Sequence, residues 1–203
     1  METKKNNMTI RCAWVSDDPI YVDYHDKEWG VPIYDERLLF EFLILEGAQA
    51  GLSWLTILKR RDNYRLCFDQ FDAEKIVRYD DAACQKLLAN PGIIRNRLKI
   101  QSVLTNAKAY LDVKQGFSNF SDYMWQFVDG KPIHNQWKSH HQVPTSTALS
   151  DQMSKDLKKR GFKFVGTTIC YAFMQAVGMV NDHLTCCFRH GEVLDELFNV
   201  EAE

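Results

Sequence analysis

Apolar residues in this chain recur three and four positions apart far more than they alternate, and that spacing predicts helices rather than strands. The segment YDERLLFEFLILEG opens on Asp35 as a helix cap, carries Glu36 in an acidic first turn, and stops at Gly47. Ser53 caps the next predicted helix, SWLTILKRRDNYRLCF, in which Leu55, Leu58 and Tyr64 fall near one face. Two short helices follow, FDAEKIVRY and DDAACQKLLANPG, each opened by aspartate and the second closed by Asn90-Pro91-Gly92. Beyond that breaker IIRNRLKIQSVLTNAKAYLDV is a long amphipathic helix, and FSDYMWQFV a shorter one. The polar, proline-bearing tract KPIHNQWKSHHQVPTST reads as a surface loop. ALSDQMSKDLKKRG is predicted as a helix capped by Ser150 or Asp151 and ended by Gly161. The run from Phe164 to Val180 is apolar nearly all round, which suggests a helix buried in the middle of the molecule. No strand pattern of convincing length, internal repeat or low-complexity tract is present. The expectation is an all-α protein of about eight to ten helices.

A length of 203 residues, with 45% hydrophobic and 26% charged residues, gives a foldable chain and excludes disordered or collagen-like readings. No composition break marks a linker, so residues 1–203 are expected to form one domain, with room for two helical lobes around a cleft. A formal charge of −2 removes the simplest argument for nucleic-acid binding, so any phosphate contact must come from local patches. The polar amino end METKKNNMTIRC shows no signal-peptide pattern, and no apolar run reaches the length of a membrane span. A soluble, cytoplasmic protein is expected. In such a reducing setting the six cysteines do not read as a disulfide framework.

Four residues form the first chemical constellation. His183 and Cys187 are four apart, which on a helix places them on one face, and Cys12 with His25 could complete a tetrahedron suited to zinc. Such a closed site would be structural and would staple the two ends of the chain. Two core cysteines and two ordinary histidines are the alternative, and Cys186 is an alternative ligand that the four-residue spacing disfavours.

Between Trp14 and Trp29 the chain also packs Tyr21 and Tyr24 into sixteen residues. Aromatic faces suit a planar base or a cation, and a cationic alkylated purine is both. They also suit an ordinary core. Glu46 ends the run LLFEFLILEG, where a carboxylate must either point into water or be buried with a partner. Basic residues cluster at Lys59-Arg60-Arg61, at Arg95, Arg97 and Lys99, and from Lys155 to Lys163; most such runs are solvated helix faces. The middle set follows Asn90-Pro91-Gly92, and a tight turn before a helix offers backbone amides to a phosphate.

These residues resemble a known family. The motifs RCAWVSDDPIYVDYHDKEWGVP, LEGAQAGLSW, GIIRNRLKI and KKRGFKFVGTTICYAFMQAVGMVNDH, spread from Arg11 to Cys187, are similar to those of 3-methyladenine DNA glycosylases of type I. The resemblance implies an all-α, helix-hairpin-helix glycosylase fold and hydrolytic removal of 3-methyladenine from alkylated double-stranded DNA, leaving an abasic site. It implies one structural zinc per chain on Cys12, His25, His183 and Cys187. It implies that Glu46 is the catalytic residue, acting by recognition and electrostatics with no general base assigned, and that Tyr24, Trp54, Trp14 and Tyr21 bind the base, with Trp29 matching in a less defined role. DNA contacts would fall on Gly51 and Leu52, beside the gap left by the flipped nucleotide, and on Pro91, Gly92, Ile93, Arg95 and Lys99. The aspartate that many helix-hairpin-helix glycosylases place after the hairpin has no counterpart before Asp112, so none is assigned. The expected partners are DNA and the free base as product, with no membrane and a monomeric chain.

Two other classes compete. His25-Asp26 and Asp182-His183 resemble the metal dyads of all-α phosphohydrolases, although Cys12 and Cys187 argue for a closed thiolate site. A zinc-stapled module that binds damaged DNA without cleaving any bond would have no need of a base-sized pocket.

Overall fold

The computed structural model describes residues 9–193. The polar amino-terminal stretch before residue 9 and the tail after residue 193 lie outside the described residues.

Ten α-helices and one two-stranded ladder lie wholly within them, and residues 189–193 are also helical. Helix α1 (Pro19–Lys27) starts on an Asp18 cap with proline in its first turn, and was not expected from the sequence. Helix α2 (Glu36–Gln49) is capped by Asp35 as expected and is buried continuously from Leu39 to Ala48. The stretch expected as one helix after Ser53 is two, α3 (Trp54–Leu58) and α4 (Arg61–Cys67), because the chain turns at Lys59 and Arg60. Aspartates 72 and 80 cap α5 (Ala73–Ile76) and α6 (Asp81–Ala89). Helix α7 (Arg97–Gly116) begins later than its apolar pattern suggests, at an Asn96 cap, so residues 93–96 belong to the connection from α6. Helix α8 (Phe120–Trp125) runs into a 3₁₀ turn.

In α9 (Ala148–Lys159) the cap is Thr147, not Ser150 or Asp151. Thr147 and Ser150 exchange side-chain and backbone hydrogen bonds in a capping box.

Helix α10 (Thr167–Ala176) is shorter than the apolar run that contains it. The chain leaves the helix through Gly178 at φ +71°, where a Cβ would lie 2.4 Å from the backbone of Val31 and Pro32. Beyond that turn β2 (Val180–Asn181) pairs in parallel with β1 (Ile133–His134), a ladder too short to register as a strand pattern.

Helix α2 forms the axis of the core, packed against α3, α7, α8 and α10. Burial on every side explains its nearly continuous hydrophobic sequence. It also makes its two interior acids conspicuous. Glu41 is 6% exposed and is neutralised by Arg61 and Arg65, whose guanidinium nitrogens lie 2.5 and 2.8 Å from its carboxylate. Glu46 is 4% exposed and forms no ion pair with any described residue.

Candidate active site

The carboxyl end of α2, the start of α3 and the aromatic α1 segment surround a cavity of about 310 Å³. Tyr24, Trp29 and Trp54 are buried and form its inner wall, while Trp14 and Tyr21 are partly exposed nearer its edge. The rings brace one another, with Trp14 5.0 Å from both Tyr21 and Trp29, and Tyr24 5.5 Å from Trp54. Half of the sixteen-residue cluster reaches this geometry through α1, whose turns stack Tyr21, Tyr24 and His25 along one side.

Glu46 opens into this cavity, and burial alone pushes its carboxyl up to about 8. Its Oε2 is buried without a hydrogen-bond partner, and so is the indole Nε1 of Trp54. One unmatched acceptor and one unmatched donor therefore line the same aromatic chamber. Buried polar atoms are rarely left unpaired, because each costs about 1–3 kcal/mol. Burial, then the neighbouring Glu46 carboxyl, also raises the phenols of Tyr24 and Tyr21. The wall thus presents neutral hydroxyl groups.

Behind the aromatic wall Cys12, His25, His183 and Cys187 are all buried, with their ligand atoms within 4.8 Å of one another. His183 and Cys187 are not on a helix; the chain there is a turn, which brings Cys187 Sγ to 3.6 Å from His183 Nδ1. The far nitrogen of each imidazole is held: His25 Nδ1 pairs with Asp26 at 2.7 Å and His183 Nε2 with the Trp29 carbonyl at 2.9 Å. Those bonds fix the tautomers that aim His25 Nε2 and His183 Nδ1 at the two sulfurs. Burial works against the Asp26 carboxylate, but Arg11 and His25 more than offset it and hold its pKa low. Contact with Cys12, then with both imidazoles, lowers the Cys187 thiol, while contact with Cys187 and burial raise Cys12. The cluster can hold a metal ion. Cys186 is exposed and takes no part in it.

Asp182 does not extend this cluster into an open phosphohydrolase site. Its Oδ1 accepts from Asn135 and Trp137 at 2.7 Å each, and its Oδ2 from Tyr171 at 2.7 Å and Gln175 at 2.8 Å. All its capacity is used to hold neighbouring chain.

The residues expected at DNA divide into two groups. Gly51, Leu52, Pro91 and Arg95 are exposed; Leu52 sits on a loop that turns at Gly51 with φ +78°. Gly92 is half-buried against Asn63, and Ile93 is 2% exposed, so the hairpin there offers backbone rather than the Ile93 side chain. Lys99 donates to the carbonyls of Ala48 and Ala50 at 2.7 Å each, and so anchors the Leu52 loop instead of presenting a free ammonium. Arg61, from the first basic cluster, is likewise committed to Glu28 and Glu41.

Sequence reasoning missed Gln49, His140, Val143 and Gln175, which also line the cavity. Gln49 lies one turn beyond Glu46 on α2 and was legible from that spacing. The others approach from segments more than ninety residues away.

The sequence model for methyladenine glycosylases matches residues 14–190 of this chain. The chain is 54% identical to DNA-3-methyladenine glycosylase 1 of Escherichia coli (strain K12) over 180 residues, 88% of this chain and 96% of that protein. It superposes on a crystal structure of 3-methyladenine DNA glycosylase I with a TM-score of 0.87 at 57% identity, covering 88% and 98% of the two chains. A substituted 3-methyladenine DNA glycosylase I solved in complex with 3-methyladenine gives a TM-score of 0.85 at 38% identity, covering 88% and 96%. A match spanning the aromatic chamber and three of the four cluster residues, His25, His183 and Cys187, settles the relationship: the chain belongs to the methyladenine glycosylase family.

Proposed function

We propose that this protein is a monofunctional DNA glycosylase that takes 3-methyladenine out of alkylated double-stranded DNA and hydrolyses its N-glycosidic bond, leaving an abasic site. The observation that carries the reading is the pair of unmatched polar atoms, Glu46 Oε2 and Trp54 Nε1, in an aromatic chamber. A methylated adenine offers both complements: exocyclic N–H groups for the carboxyl, ring nitrogens for the indole, and two faces for the aromatic rings. Its relatives carry this activity in their names, and one holds the free base.

Alkylation at N3 puts a positive charge on the base of the nucleotide. When the C1′–N bond breaks, its electron pair neutralises the base and the sugar is left as the cation; a water oxygen then bonds to C1′ and sheds a proton. No acid is needed to protonate the leaving group. The protein has to bind the extruded base in the geometry of bond breaking and favour the separating charges. With its pKa pushed up to about 8, the Glu46 carboxyl is largely neutral at pH 7 in the free chamber and gives up its proton more readily when a cationic base arrives. Tyr24, Trp54, Trp14 and Tyr21 hold the ring system, and Trp29 backs them.

The cysteine–histidine cluster fits zinc. Tetrahedral ligation with metal–sulfur and metal–nitrogen bonds of about 2.3 and 2.0 Å puts sulfur and nitrogen about 3.5 Å apart. The Cys187–His25, Cys187–His183 and Cys12–His183 separations are 3.5, 3.6 and 3.6 Å. With four protein ligands the ion supplies a cross-link between chain ends and no site for chemistry. We assign the α6–α7 connection to the helix-hairpin-helix class, with Pro91, Gly92 and Arg95 toward the DNA backbone and Leu52 as the wedge filling the emptied stack. One domain and a monomer suffice for this reading.

The test is incubation with methylated duplex DNA and identification of small products by chromatography and mass. Release of 3-methyladenine, with strands intact until the abasic sites are treated with alkali, is the expected result. DNA binding without any released base would overturn the reading.

A further inference from the structure

The tract from residue 133 to 147 reads as surface loop, yet it forms one side of the cavity. The β1–β2 ladder fixes its start. The next residues are bound to the buried Asp182 by Asn135 Nδ2 and Trp137 Nε1, and Thr185 N–H donates to the Trp137 carbonyl at 2.9 Å. The 3₁₀ turn His140–Gln142 is then closed by a capping box between Ser139 and Gln142. A segment tied at this many points is a wall, and its position over the cavity is set.

Of the two adjacent histidines on that turn, only His140 lines the cavity; Val143 is the other contributor. His140 is exposed, and no described residue hydrogen-bonds its ring, whereas Tyr24, Trp29 and Trp54 across the chamber are 3–9% exposed. A residue that both lines a cavity and meets solvent stands at its mouth. A base seated against the buried rings must leave its glycosidic bond, deoxyribose and flanking phosphates at that mouth.

We propose that His140 is a further substrate-contacting residue, whose imidazole hydrogen-bonds the sugar–phosphate of the flipped nucleotide rather than the base. This deepens the excision reading and rests on it. The chamber then has two chemically distinct zones. Glu46 and Trp54 select the base inside, and the 135–143 wall grips the backbone outside.

The two zones separate experimentally, because free 3-methyladenine has no sugar or phosphate. In H140A, affinity for free 3-methyladenine and the melting temperature should match the wild type. Affinity for a duplex carrying a tetrahydrofuran abasic analogue, and single-turnover excision, should both fall about tenfold, the scale of one accessible hydrogen bond to a charged oxygen. H140Q keeps a donor and should recover most of the loss. Unchanged affinity of H140A for the abasic duplex overturns the proposal. So does a parallel loss for the free base, which would make His140 part of the inner chamber. Should H140A melt lower, H140Q with wild-type melting and no recovery on DNA also overturns it. Wild-type protein that releases no 3-methyladenine would sink the excision reading, while the abasic-duplex comparison would still report on His140.

Discussion

Trp29 touches His183 twice: its carbonyl accepts the imidazole Nε2–H at 2.9 Å, and its indole stands edge-on to the same ring at 4.6 Å. The cysteine–histidine cluster and the aromatic chamber therefore meet at Trp29. Gly30, next in sequence, has φ +82° and leaves only 3.2 Å between a would-be Cβ and His183, so the contact depends on a residue without a side chain.

With the proposed zinc in the cluster, loss of the metal should be felt in base binding as well as in stability. Stripping zinc with a chelator, or replacing Cys187 by Ser, should destabilise the protein by at least about 3 kcal/mol, or roughly 6–12 °C in Tm for a chain of this size. Affinity for free 3-methyladenine should weaken in the same samples. Calorimetric melting with and without chelator decides: an unchanged Tm would remove the metal from the account.

Glu46 should give the fold a pH dependence of a particular sign. Burial raises its carboxyl from the ordinary 4.5 to about 8. Between these values the folded protein holds a proton that the unfolded chain releases, so the stability is fully present below about pH 4.5 and is lost as the pH rises toward 8. The loss should reach roughly 3–6 kcal/mol. Glu46→Gln has no such proton, so its stability relative to the wild type should grow over that window in urea unfolding at several pH values. The same substitution should slow single-turnover excision at least about tenfold. A variant that tracks the wild type at all pH values would mean that the carboxyl is not buried in solution.

Lys99 should act on DNA through the loop it anchors. Lys99→Met removes both bonds to the Ala48 and Ala50 carbonyls, freeing the turn at Gly51 and Leu52. Excision from duplex DNA should fall about tenfold with free-base affinity unchanged, since the loop lies outside the chamber. The slope of log affinity against log salt should stay as in the wild type. A slope reduced by about one would instead reveal a direct phosphate contact.

What the sequence disclosed and withheld follows from range. Asp35, Ser53, Asp72 and Asp80 were legible as caps because a cap answers to amides two or three residues away. The end of α10 was not, because Gly178 turns for the sake of Val31 and Pro32, nearly 150 residues earlier. The donor types of the metal cluster were legible, but its geometry was misread: a turn, not a helix, brings His183 and Cys187 together. Lys99 looked like a phosphate ligand because charge is visible in sequence and a carbonyl partner is not. His140 sat unnoticed in a polar tract whose wall-forming role depends on Asp182, more than forty residues away.

Trp54 offers the cleanest separation of stacking from hydrogen bonding. Its ring lies 5.5 Å from Tyr24 and 6.4 Å from Phe42, contacts that phenylalanine can largely keep. Its indole N–H is buried and unmatched. Trp54→Phe therefore removes an unsatisfied donor, a gain of about 1–3 kcal/mol, and leaves a small void that costs a similar amount, so folding should change by no more than about 1 kcal/mol. Free 3-methyladenine, by contrast, loses the one partner that the indole offers a ring nitrogen, and its affinity should drop about tenfold. Titration with the free base alongside thermal melting reads both numbers from one preparation. If Trp54→Phe binds the base as the wild type does, the indole serves only as a stacking surface, and Glu46 alone would have to supply the polar recognition in the chamber.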